Sequence, residues 1–187
     1  MRLSDAPRVR LANLPTPLQE APNLSKALGG PRILVKRDDL TGLAFGGNKT
    51  RKLEFLMAEA VSNGADVVVT GAGHQSNWCT QTAAAARKLG MKCVLIKSGP
   101  IDGYDPEEYD GNHLLHFLLG AEIKVATSGN TKRVYDETME ELKKKGHRPY
   151  LLTAAGSTPP GVLGYVNAVL EIVSQAVERG IKIDYII

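Results

Sequence analysis

Ala44 to Leu56 reads AFGGNKTRKLEFL, and the way this stretch turns into a helix decides how the rest of the chain is read. From about Asn48 to Ser62 the apolar side chains Leu53, Leu56, Met57, Ala60 and Val61 recur close to the i, i+3, i+4, i+7 rule of a helix with one buried face. At about 100° per residue, Lys49 falls inside that stripe, Lys52 falls on its edge and Arg51 points roughly the opposite way. Lys49 is therefore expected to look inward. A lysine in the first turn of a helix meets the positive end of the helix dipole, and burial adds a desolvation cost. Both favour the neutral amine, the form that attacks carbonyl groups, and Gly46 and Gly47 let backbone approach a bound group closely. The competing reading is an ammonium lifted to water on an apolar stem, and geometry alone leaves the two open.

Around this stretch, strands and helices alternate. Ile33–Lys36 is expected as a strand leading through the polar turn RDDLTG into the lysine helix. Further strands are predicted at Ala65–Thr70, Lys92–Ile96, Glu122–Ala126, Tyr150–Leu152 and Ile181–Ile187. Helices are predicted at Pro22–Leu28, Ser76–Leu89, Asn112–Leu119, Thr131–Lys145 and Pro160–Arg179. Arg8–Leu18 reads as extended chain and Ser98–Asp110 as a loop. This rhythm implies an α/β fold of three αβα layers with mostly parallel sheets, ligands gathering where strands run into helices. Ile181–Ile187 is an apolar strand with nothing after it to cover it, so we expect the chain to stop within a fold whose C-terminal part is missing.

Composition narrows the classes. The 187 residues carry 43% hydrophobic and 23% charged side chains, ordinary for a globular protein, and a net charge of +3. The basic residues are dispersed, so no nucleic-acid surface is indicated, and the run Lys143–Lys145 reads as a solvated helix end. No window reaches about 18 consecutive apolar residues and the N-terminus shows no signal pattern, so a cytoplasmic location without a membrane partner is expected. Cys79 and Cys93 are expected as reduced core thiols.

Other stretches could carry chemistry. In GAGHQSN, Gly71–Asn77, Ser76 is a candidate N-cap, and the free amides behind it form an anion site to which Gln75, Ser76 and Asn77 add donors suited to a carboxylate. The plainer alternative is a capped helix after a tight turn. GSTPPG, Gly156–Gly161, offers Ser157 or Thr158 as a cap ahead of prolines. His113 and His116 have a metal-compatible spacing but no third ligand, so no metal is assigned. Asp38 and Asp39 form either a carboxylate pair or a turn. No phosphate-loop or dinucleotide fingerprint appears.

Taken together, VKRDDLTGLAFGGNKTRKLEFL, GAGHQSN, AAAARKLGMKCVL and GSTPPGVLGYVNAVLEI resemble the 1-aminocyclopropane-1-carboxylate deaminase and D-cysteine desulfhydrase family of pyridoxal-phosphate enzymes. The resemblance implies the tryptophan synthase β-like fold (fold type II). It would divide the chain into residues 1–47 of a large domain, 48–154 as a small αβα domain, and 155–187 returning to the large one. It makes Lys49 the Schiff-base residue and proton shuttle, with Asn48, Lys52 and Asn77 also at the cofactor: Asn77 at the ring hydroxyl and Lys52 at the phosphate. Ser76, with Gln75 and Asn77, would hold the substrate carboxylate, and Ser76 would assist proton transfer. Trp78 departs from the smaller or more polar residue expected there, which leaves the shape of the substrate site open. The implied activity is a lyase or deaminase acting on a small amino acid. One form releases a 2-oxo acid, ammonia and a thiol from D-cysteine-like substrates; the other opens a cyclopropane ring. We lean toward β-elimination. A homodimer is implied when the protein is full length. The alternative is a non-catalytic half or a small-anion-binding module.

Overall fold

The structure, a computed structural model, describes residues 3–99 and 108–187. Most of the predicted loop at Ser98–Asp110 lies outside the described residues. Strand β1 (Leu18–Glu20) pairs antiparallel with β2 (Leu34–Lys36), and α1 (Pro22–Leu28) joins them, ending on a left-handed Gly29. Helix α2 spans Lys49–Ser62. Then come β3 (Val67–Ala72), α3 (Asn77–Lys88), β4 (Lys92–Ser98), α4 (Gly111–Leu118), β5 (Glu122–Ala126), α5 (Thr131–Lys144), β6 (Pro149–Leu151) and α6 (Pro159–Glu178). Strands β3 to β6 form one parallel sheet in the order β5-β4-β3-β6.

The sheet has a core on each face, as the alternation of apolar side chains in β3 and β4 requires. On one side Val68 and Leu95 pack with Leu53, Leu56 and Met57 of α2 and with Cys79 and Ala83 of α3. On the other, Val67, Val69, Val94 and Ile96 meet Leu142 of α5, with Val134 and Met139 beside it. The predicted α/β layering is therefore observed, and Cys79 and Cys93 are buried free thiols.

Two expectations are corrected. Residues 181–187 form no strand, and Tyr185, Ile186 and Ile187 are exposed. An apolar, β-branched run becomes a strand only where a neighbouring strand takes up its backbone groups, and none lies beside it here. The second concerns α2, which is not a helix with one wet face: its residues from Thr50 to Ala58 are all buried. Arg51, expected to point outward, is 1% exposed. Its guanidinium donates to Asp38 at 2.8 and 2.9 Å and to Glu171 of α6 at 3.0 and 2.9 Å. Glu54 is likewise buried, its carboxylate paired with Arg8 and accepting the amides of Leu11 and Ala12 at 2.9 Å. Arg51, which the wheel placed toward water, and Glu54 each have a partner of opposite charge from a distant segment.

Helix α6 lies against α2 so closely that a Cβ at Gly164 would fall within 3.0 Å of the Arg51 carbonyl and the Lys52 amide. It is long and apolar enough, by length and composition alone, to cross a membrane. Yet it packs Gly161, Gly164, Ala168 and Ala176 inward, and its Glu171 is bound to Arg51 and Lys36. Val162, Val166, Val169, Val173 and Val177 on α6 are exposed.

Candidate active site

The glycine turn before α2 is held from three directions. Gly47 N–H donates to the Asp38 carbonyl and to Thr41 Oγ1, both at 2.9 Å. Gln81 of α3 bridges the turn, donating through Nε2 to the Gly46 carbonyl at 2.8 Å and accepting from Thr50 Oγ1 at 2.6 Å. At Gly47, with φ of 129°, an added Cβ would sit within 3.0 Å of both Gln81 Nε2 and Asn77 Nδ2. That cradle brings the GGNK turn against the first residue of α3. It also yields a prediction: Gly47→Ala combines a strained backbone with this clash, lowering stability by about 1–3 kcal/mol. Urea midpoints, and the accompanying loss of affinity for an added anion, check it.

Lys49 opens α2 half-buried, and Lys52 one turn on is 8% exposed. Lys52 Nζ donates to the Ala155 carbonyl at 3.1 Å and Ser157 Oγ at 2.9 Å, and lies 5.4 Å from the centre of the Tyr165 ring. Burial and the neighbouring Lys49 charge together hold the Lys52 ammonium below the ordinary lysine range. Among the described residues neither lysine has a carboxylate partner, and the two sit one helical turn apart. Asn48 donates to Tyr165 Oη, closing the third side.

On the α3 side Ser76 is the N-cap, as expected, its Oγ accepting the Cys79 amide at 3.3 Å. The amides at the start of the helix remain free to meet an anion, as at any helix N-terminus. Gln75 departs from the expectation. Its Nε2 donates to Asp110 at 2.6 Å and its Oε1 accepts the Asn112 amide at 2.8 Å. Helix α4 has no side-chain cap from Asp110, and Gln75 supplies one from across the fold, so its amide does not join the donors at the turn.

The remaining candidates resolve in physical terms. Trp78 turns into the core, 3% exposed, with Nε1 donating to Thr70 Oγ1 at 2.9 Å, and its ring packs against Gly156, between the two residues that hold Lys52. Thr158 precedes α6 without a side-chain cap bond, and Ser157 faces Lys52 instead, so the expected cap of the GSTPPG helix is replaced by a lysine contact. Asp38 and Asp39 are no carboxylate pair: one binds Arg51 and the other Arg37. His113 and His116 are buried, no three-ligand metal cluster occurs among the described residues, and burial pushes His116 down to about 3. Sequence reasoning missed Tyr165, Ser157 and Gln81, whose roles depend on contacts between segments far apart in the chain.

Tyr165 ties Asn48 to Lys52, Lys49 lies one turn before Lys52, and the Gly47 turn before them packs on Asn77, next to the Ser76 cap. These segments carry two amines without a carboxylate partner among the described residues, a hydroxyl, two amide side chains and a helix N-terminus. They suit a small group bearing a phosphate and a carbonyl, and pyridoxal phosphate is such a group.

Comparison with known proteins agrees. A 1-aminocyclopropane-1-carboxylate deaminase of Burkholderia ambifaria is 43% identical over 100% of this chain and 57% of its own length. A D-cysteine desulfhydrase of Klebsiella pneumoniae is 43% identical over 99% of the chain and 56% of its own length. The chain therefore spans little more than half the length of these relatives. The crystal structure of an ACC deaminase homologue superposes with a TM-score of 0.82 at 44% identity, covering 92% of this chain and 52% of that one. The crystal structure of a threonine deaminase, at 24% identity and a TM-score of 0.67, shares the fold over 89% of this chain and 48% of its own. Residues 9–187 match the family described as pyridoxal-phosphate dependent enzymes, and to that family the chain belongs.

Proposed function

We propose that this chain carries the lysine side of a pyridoxal-phosphate site in a lyase or deaminase acting on a small amino acid, either as a D-cysteine desulfhydrase or as a 1-aminocyclopropane-1-carboxylate deaminase. The observation that carries the reading is the close approach of the Gly47 turn, which opens the helix of Lys49 and Lys52, to Asn77 at the N-terminus of α3. When bound, pyridoxal phosphate would supply a sink for the electron pair left when a proton is removed next to the amino group. Lys49 would be the amine that holds its carbonyl carbon and the base that takes the proton. Lys52 and Ser157 would hold the phosphate, and Tyr165 restrains both Lys52 and Asn48. Asn77 would serve the ring hydroxyl, while Ser76 and the first amides of α3 would hold the substrate carboxylate. The four-stranded sheet forms the body of a small domain over residues 48–154, and α6 leads back to a larger one.

An absorbance scan with added pyridoxal phosphate, followed by borohydride trapping and peptide mapping, tests the reading. A visible band and an adduct on Lys49 support it; a colourless chain or an adduct elsewhere sinks it. Assays of D-cysteine and 1-aminocyclopropane-1-carboxylate then separate the two activities.

A further inference from the structure

Strand β4 carries, one residue before its end, a lysine that the reading above does not use. Lys97 is 0% exposed, and among the described residues no carboxylate pairs with it. Burial draws its pKa down, while Cys79 and Cys93 draw it the other way. Its Nζ donates to the Gly73 carbonyl at 3.3 Å and the His74 carbonyl at 3.1 Å, and the Cys79 thiol is a polar neighbour that favours its charged form. Both carbonyls belong to one short stretch, the turn that delivers Gln75, Ser76 and Asn77. Cys79 adds a second link, since its amide donates to Ser76 Oγ.

A trans peptide places its carbonyl and its N–H on opposite sides. With the Gly73 and His74 carbonyls drawn inward to Lys97, the N–H groups of His74 and Gln75 on the same two peptides are turned away from it. A cation on the carbonyl side also polarises each peptide, so the opposite N–H becomes a stronger donor. The pull acts where the proposed substrate carboxylate would lie.

We propose that Lys97 is a positioning residue that sets the GHQSN turn and strengthens its outward amides for the carboxylate of an amino-acid substrate. The proposal rests on the function proposed above, and its two claims are read separately. The first readout needs no ligand: backbone 15N resonances of His74 and Gln75 report hydrogen bonding at the preceding carbonyls. In Lys97→Met these resonances shift while those of β5 and α5 stay in place, and Lys97→Arg restores part of the shift. The second uses the chain loaded with pyridoxal phosphate and titrated with D-alanine, which has the amine and carboxylate but no leaving group. Lys97→Met weakens D-alanine binding about tenfold, Lys97→Arg recovers part of it, and the affinity for pyridoxal phosphate stays within about twofold.

Unchanged resonances overturn the positioning role. Shifted resonances with unchanged D-alanine affinity, in a chain whose wild type responds, overturn the carboxylate role and leave Lys97 a structural residue. A wild type that binds pyridoxal phosphate but not D-alanine likewise overturns the carboxylate role, whereas a wild type that fails to bind pyridoxal phosphate overturns the functional reading itself. If Lys97→Met does not fold, Lys97→Gln carries the same comparisons.

Discussion

Lys49→Ala abolishes covalent capture of pyridoxal phosphate and lowers turnover by roughly 10²- to 10⁴-fold from lost proton transfer alone. The same variant keeps its fold. Lys49 is half-buried at the first position of α2 and makes no ion pair among the described residues, so its removal changes stability by no more than about 0.5 kcal/mol. Removing its charge also relieves Lys52, whose pKa burial and Lys49 both hold down, so the cation proposed to bind the phosphate becomes more firmly protonated. Lys49→Ala should therefore still bind the cofactor reversibly, whereas Lys52→Met should lose affinity while keeping a trappable amine. Borohydride trapping and equilibrium titration on the two variants separate attachment from holding. Trapping that persists at full yield in Lys49→Ala would show that another amine does the work.

Arg51→Met is the most destabilising single change expected. It removes the counter-charge of Asp38 and leaves Glu171 only Lys36, the two carboxylate side chains being 15% and 12% exposed, and costs about 3–5 kcal/mol. Urea denaturation reads the loss directly. The same cluster governs acid stability. Burial by itself would raise the Glu171 carboxyl, but hydrogen bonds and charges from Arg51 and Lys36 prevail and hold it below the ordinary value of 4.5. A carboxylate depressed in the native state stabilises fully above its unfolded pKa, and that contribution disappears as the pH falls through the native one. The wild type should thus lose stability on acidification below about pH 4.5, and Arg51→Met should show a shallower dependence there. An equally steep profile in the variant would assign acid lability to other carboxylates.

The order and type of the main elements were legible because β3, β4 and the helices between them are local patterns: Val67–Val69 and Val94–Ile96 are apolar runs ended by glycine or polar turns. The lysine turn was legible too, since Gly46, Gly47 and Lys49 are neighbours in sequence. What the pattern could not convey was the depth of α2. A helical wheel assumes that polar residues look to water, but Arg51 finds Glu171 from 120 positions away and Glu54 finds Arg8 from 46 away. Gln75 misled for the same reason, its partner Asp110 lying 35 residues downstream. The closing strand failed because strand formation is decided by a neighbour rather than by the run Ile181–Ile187 itself.

Because α2 is buried from Thr50 to Ala58, the amine proposed to react is mounted at the edge of packed scaffolding that is in place before any small molecule arrives. The entropy of arresting that backbone is lost once, during folding, and an incoming ligand meets an amine whose anchor point is settled. Free and loaded forms should superimpose along this helix, leaving accommodation of differently shaped amino acids to the loops across the cleft.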